Sequence, residues 1–152
     1  MKIEENLIIK EVCKETESSA KNLVVSCLKE YFDDYDHSRN KDLDRIIKTY
    51  NGNGHLFLVG IYNEEVVCTG GLIETKEGYA RVVRVSVRKD LRRKGIGKKI
   101  MKELEKRAIK RGFDRIVLDT RKNWHGAIKF YKDLNYSIYG KDDLNLFFEK
   151  KL

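Results

Sequence analysis

The sequence predicts an α/β (α+β) fold: a mixed, mostly antiparallel central sheet with helices on both faces. Three observations predict it. Three β-branched runs, Leu56 to Tyr62, Val66 to Ile73 and Tyr79 to Val87, follow one another across short turn signals, as hairpin-linked strands do. A helical stripe and a further strand come next, giving a β-α-β unit that requires one parallel pair. The length of 152 residues, with 41% hydrophobic and 10% aromatic content, suits a single core burying roughly two-thirds of the unfolded surface. Residues 1–152 therefore read as one domain.

Taken in order, Leu7 to Cys13 reads as a first strand. Ala20, Leu23, Val24, Cys27, Leu28 and Tyr31 form a helical stripe that Asp33-Asp34-Tyr35-Asp36 ends. Leu43, Ile46, Ile47 and Tyr50 define a second helix, closed by Asn51-Gly52-Asn53-Gly54. The three hairpin strands turn at Asn63-Glu64-Glu65 and at Thr75 to Gly78. Ile96, Ile100, Leu104 and Ala108 recur every four residues and mark a third helix. Arg115 to Asp119 is a strand, and Trp124 to Leu134 a helix with Asn123 as its expected cap. Tyr136 to Tyr139 and Leu144 to Lys150 close the chain as strands. The order β-α-α-β-β-β-α-β-α-β-β argues against an all-parallel dinucleotide-binding sheet.

Composition narrows the function. The formal net charge of +8 suits a nucleic acid, a membrane surface or a polyanionic small ligand, and by itself selects none. No apolar run is long enough to span a bilayer, and the start, Met1-Lys2-Ile3-Glu4-Glu5, does not read as a signal peptide, so a cytoplasmic location is expected. Cys13, Cys27 and Cys68 form no CxxC pair and His37, His55 and His125 are scattered, so no metal is expected and the thiols read as structural.

Charge is concentrated at one place. Seven of the twelve residues from Arg88 to Lys99 are Lys or Arg, around two glycines one residue apart. A strand running into a glycine turn that opens a helix collects free backbone N–H groups at the positive end of the helix dipole, and phosphates bind there. Gly95-Ile96-Gly97-Lys98-Lys99 lacks the spacing and the Ser/Thr of an NTP-binding P-loop.

Arg92-Arg93-Lys94-Gly95-Ile96-Gly97 resembles the R/Q-x-x-G-x-G/A loop of the GCN5-related N-acetyltransferases (GNAT). Val85-Ser86-Val87 stands at that family's offset before the loop, and Ala127-Ile128-Lys129-Phe130-Tyr131 matches its A-x-x-[LF]-Y signature. The element order agrees over nearly the whole chain. The resemblance implies a GNAT fold and acetyl-CoA as cosubstrate. It implies that the backbone of Arg93, Lys94, Gly95, Ile96, Gly97 and Lys98 binds the pyrophosphate, with a β-carbon at either glycine holding the phosphate away. Arg88, Arg92, Lys98 and Lys99 are candidates for the 3′-phosphate. Val85, Ser86 and Val87 would pair with the pantetheine amides and polarise the thioester carbonyl. Tyr131 would be the acid that protonates the departing thiolate.

For the base, Asp119 stands twelve residues before Tyr131, where ribosomal-protein N-terminal acetyltransferases carry Glu. Glu74, at the end of the third strand, is the other candidate, and a water chain is the third. Arg81 occupies the position of the histone-type carboxylate. Three departures from the pattern stand out: Trp124 replaces the usual Asn, with Asn123 one place earlier as a candidate for the cofactor; Arg88-Lys89 replaces a Pro; and Asn135-Tyr136 replaces Gly-Phe. Asn135 tolerates the left-handed backbone a helix end needs. Asp33, Asp34 and Asp36, between the first two helices, are expected to attract the acceptor, a small-molecule or peptide amine. No nucleic-acid or membrane partner is expected, and the chain is expected as a monomer or homodimer. A non-catalytic acetyl-CoA-binding regulatory domain is the alternative, and a nucleic-acid module lacks a recognition helix or aromatic platform.

Overall fold

The structure, a computed structural model, describes residues 2–52 and 54–152; Asn53 of the expected second-helix terminus lies outside them. Seven strands form one sheet: β1 (Ile8–Glu11), β2 (Leu56–Tyr62), β3 (Glu65–Glu74), β4 (Ala80–Val87), β5 (Arg115–Arg121), β6 (Ser137–Lys141) and β7 (Asn145–Lys151). Their spatial order is β1-β2-β3-β4-β5-β7-β6, and every neighbouring pair is antiparallel except β4 with β5. The helices are α1 (Glu17–Tyr31), α2 (Ile46–Thr49), α3 (Ile96–Lys110) and α4 (His125–Asp133).

Alternation in β2 shows how the layers form. Leu56 and Leu58 point into a core shared with Ile96, Ile100, Met101, Leu104 and Ala108 of α3 and Tyr131 of α4. Phe57 and Val59 point the other way, onto Ala20 and Val24 of α1 with Leu43 and Ile46. Helices thus cover both faces, as the period-two pattern requires. Each fully buried Ile, Leu or Met of α3 contributes about 1.5–3 kcal/mol, and Ile96 is the first of them, at the helix N-terminus.

Local differences from the sequence reading have local causes. β1 stops at Glu11 because Cys13 and Thr16 close a turn: the Cys13 N–H donates to Thr16 Oγ1 (2.9 Å) and the Thr16 N–H to the Cys13 carbonyl (3.0 Å). The second helix is mostly a 3₁₀ turn, Lys41–Arg45, with one short α turn after it. Leu43 and Ile46, three apart, are its buried pair, which is the 3₁₀ period. The β2–β3 hairpin turns on Asn63 and Glu64, both left-handed. Asn123 does not cap α4, whose N-cap position is Trp124 and carries no side-chain hydrogen bond. The Asn135 expectation is met: its φ is +70°, and the Tyr136 N–H reaches back to the Tyr131 carbonyl (3.0 Å) in a Schellman closure.

Candidate active site

The parallel pair β4/β5 is short. Only Ala80 with Ile116 and Arg81 with Val117 are in register. Beyond Arg81 the edge of β4 has no strand partner on that side, and a cleft of about 440 Å³ opens between the strands. Its walls include Cys27 and Tyr31 of α1, Val85 and Ser86 of β4, Thr120 of β5 and Tyr131 of α4. β4 bends here through a bulge: Thr69 faces Ser86 while Gly71 faces Val83, which leaves an extra residue on β4. Arg84 carries the bend, with φ at +56°.

At the far end of β4 the chain enters the loop before α3. Arg93 (φ +62°) and Gly95 (φ +82°) are both left-handed, and Gly95 is the N-cap with no side-chain cap. Alternating hand of this kind turns successive N–H groups to one side. Among the described residues the backbone N–H groups of Arg93, Lys94, Gly95, Ile96, Gly97 and Lys98 find no acceptor; the first satisfied one is Lys99, bonded to the Gly95 carbonyl (3.1 Å). Gly97 has a different task from the one expected. A β-carbon there would meet Phe130 of α4 at 3.2 Å, so Gly97 admits close helix packing and its missing side chain does not face the loop's outer surface.

Several expected side chains are otherwise engaged. Arg92 turns inward, its Nε donating to the Val87 carbonyl (3.0 Å) and its guanidinium pairing with Glu30 of α1. Arg88 is held by Asp90 (2.8 Å) and Glu65 (2.6 Å), and Lys99 donates to the Leu7 carbonyl (3.3 Å). Arg93 and Lys98 make no ion pair among the described residues and are exposed. Glu74 lines neither this cleft nor the groove beside it. Asp36 caps a 3₁₀ turn through Ser38 (3.0 Å to its N–H), and Asp33 and Asp34 lie outside the cleft walls. Asn123 is likewise absent from the walls, where Trp124 packs on Tyr31 (4.6 Å) and Phe32 (5.9 Å).

Tyr131 is 8% exposed, and its hydroxyl has no hydrogen-bond partner among the described residues. Burial, with the nearby Tyr31 and Asp119, pushes its pKa well above the ordinary phenol value, so it stays protonated at neutral pH. Asp119 Oδ1 accepts from Arg81 (2.6 Å), which leaves Oδ2 open. Arg81 and Asp119 also line a second, open groove of about 530 Å³ on the β5–β7–β6 face. Thr120 Oγ1, cut off from solvent, also has no hydrogen-bond partner among the described residues. The sequence reading missed Asp42 and Tyr50. Asp42 takes Arg84 bidentately (3.0 and 2.7 Å) and the Tyr50 hydroxyl (2.7 Å), all at the cleft wall. An arginine interrupting the apolar run Val82-Val83-Arg84-Val85 was the available signal.

The family model described as "Acetyltransferase (GNAT) family" matches residues 21–136. The chain belongs to the GNAT acetyltransferase family. Among its GNAT relatives, the Xenopus tropicalis protein named "Probable N-acetyltransferase 14" is 31% identical over 104 residues, covering 67% of this chain and 50% of that protein. The chain thus spans half the length of this curated relative. A GNAT acetyltransferase structure from Staphylococcus aureus Mu50 superposes with a TM-score of 0.87 at 24% identity, covering 96% of this chain and 99% of that one. The PaiA N-acetyltransferase of Thermoplasma acidophilum, solved with coenzyme A, gives 0.82 at 20% identity over 96% and 99%. Both structures show the GNAT fold, with the splayed β4/β5 pair as its centre in this chain.

Proposed function

We propose that the chain transfers the acetyl group of acetyl-CoA directly to an amine of a small molecule or peptide. The observation that carries this reading is the run of six backbone N–H groups, Arg93 to Lys98, unpaired among the described residues at the positive end of the fifteen-residue α3. Such a cradle suits a pyrophosphate, and the coenzyme A complex of the Thermoplasma neighbour supports the cosubstrate. Arg93, Lys94 and Lys98, exposed and without an ion pair among the described residues, are side chains available to meet a further phosphate.

The open edge of β4 from Val85 to Val87 takes the pantetheine amides as an added strand would. One of its N–H groups polarises the thioester carbonyl as the amine attacks. The C–N bond forms, the C–S bond breaks, and Tyr131 gives its proton to the departing sulfur. Asp119 Oδ2, or a water bound to it, takes the proton that the amine loses. Thr120 Oγ1 finds its partner in what fills the cleft. The fixed charges at the walls cancel, Arg84 against Asp42 and Arg81 against Asp119, so the site favours an amine without a large net charge beyond the reacting group.

The test is thiol release from acetyl-CoA across a panel of amino acids, polyamines, aminoglycosides and peptides. Acceptor-dependent release establishes the transferase and its acceptor class. Binding of CoA in a calorimeter with no release for any acceptor would favour the regulatory-domain alternative.

A further inference from the structure

Arg84, at the β4 bulge, occupies a backbone conformation that side chains with a β-carbon disfavour. What holds it comes from elsewhere. Its carbonyl accepts the Thr69 hydroxyl (2.8 Å), and its guanidinium is gripped at two points by Asp42, forty-two residues away. Asp42 is itself fixed. It sits in the 3₁₀ turn whose Leu43 is buried, next to buried Ile46, and it accepts the hydroxyl of Tyr50, whose ring packs on Phe57 at 5.1 Å. Its two oxygens accept three hydrogen bonds, two of them from a cation, which makes Asp42 a weak base. The pair is about four-fifths buried, at 18% and 21% side-chain exposure, where a bidentate guanidinium–carboxylate contact is geometrically strict.

We infer that Asp42 is a positioning residue: through Arg84 it locks the β4 bulge in its left-handed form and so aims the N–H groups of Val85 to Val87 into the cleft. The inference rests on the role given above to the β4 edge. The clamp also joins the segment between α1 and α2 to the strand that would polarise the carbonyl, so a shift of that segment is felt at the reacting carbon.

Arg84→Ala and Arg84→Gly test it. Both lose the guanidinium and leave Asp42 with Tyr50; they differ by one β-carbon at φ +56°. An unclamped alanine abandons the left-handed form, whereas glycine adopts it without a clamp. The penalty for a β-carbon there corresponds to about five- to thirtyfold. The expected result is that kcat for thiol release in the glycine variant exceeds that in the alanine variant by about tenfold, with the acceptor KM within about twofold. Asp42→Asn is expected to lower kcat in the native chain and to add no further loss to Arg84→Gly. Equal kcat in the two Arg84 variants, or additive losses with Asp42→Asn, would overturn the inference. Should the native chain release no thiol with any acceptor, the transferase reading fails on its own. Amide hydrogen exchange at Val85 to Val87 then decides the clamp: faster in Arg84→Ala than in Arg84→Gly supports it, and equal rates overturn it.

Discussion

Thr120→Val separates a functional hydroxyl from a packing defect. Thr120 is 2% exposed on β5, at the cleft wall, and its Oγ1 has no partner among the described residues. A buried hydroxyl left unpaired costs about 1–3 kcal/mol. Valine has nearly the same shape and the same preference for a strand, so the substitution removes that cost and little else. For a chain of this size each kcal/mol moves Tm by about 2–4 °C, so the ligand-free variant is expected to melt several degrees higher. If the hydroxyl meets acetyl-CoA or a water in the filled cleft, the same change weakens turnover or cosubstrate affinity by about five- to tenfold, the worth of one hydrogen bond. The assay is a melting curve with and without acetyl-CoA, beside steady-state thiol release. A higher Tm with unchanged turnover and affinity would refute the functional role. A lower Tm would show that the hydroxyl is already paired in the free protein.

Tyr131→Phe keeps the ring that packs against Tyr136 and Phe148 and is expected to cut kcat by about 10²-fold at nearly constant acetyl-CoA affinity; an unchanged rate would remove Tyr131 as the acid. Gly95→Ala puts a β-carbon at φ +82° and is expected to cost about 1–2 kcal/mol in urea unfolding while weakening CoA in calorimetry. Gly97→Ala presses on Phe130 at 3.2 Å, so its effect is expected first in stability, read by Tm, with the cradle's N–H groups still in place. Burial alone would raise the Asp42 carboxyl, but hydrogen bonds from Arg84 and Tyr50 outweigh it and hold the folded pKa below the usual value. Its contribution is therefore present above about pH 4, the unfolded carboxylate range, and is lost as pH falls through the lower folded value. Asp42→Asn is expected to flatten that acid limb in a Tm-against-pH series.

What was legible in the sequence is what local pattern encodes. The period-two runs gave β2, β3 and β4 nearly to the residue, since hairpins join them and Asn63 can adopt the left-handed turn. Asn135 announced the end of α4 for the same reason. The loop before α3 was visible because glycine spacing and charge lie within one short stretch. The ion pairs that shape the site were not visible: Arg84 with Asp42, Arg81 with Asp119 and Arg92 with Glu30 join residues 38 to 62 positions apart. Pairing at such separations depends on the tertiary fold, and so Asp42 went unmarked and Arg92 read as a phosphate ligand. The acidic turn of Asp33, Asp34 and Asp36 lies outside the cleft walls. Its conspicuous composition serves the local chain at Asp36, where a carboxylate caps a turn.

The most direct test of the cradle is a ¹H–¹⁵N spectrum of the native chain titrated with CoA, read at the amides of Arg93 to Lys98. The account predicts saturable shifts at those six amides, which vanish when the pyrophosphate-bearing half of the ligand is omitted and pantetheine alone is added. CoA that fails to bind, or that binds and shifts amides elsewhere while these six stay still, would contradict it.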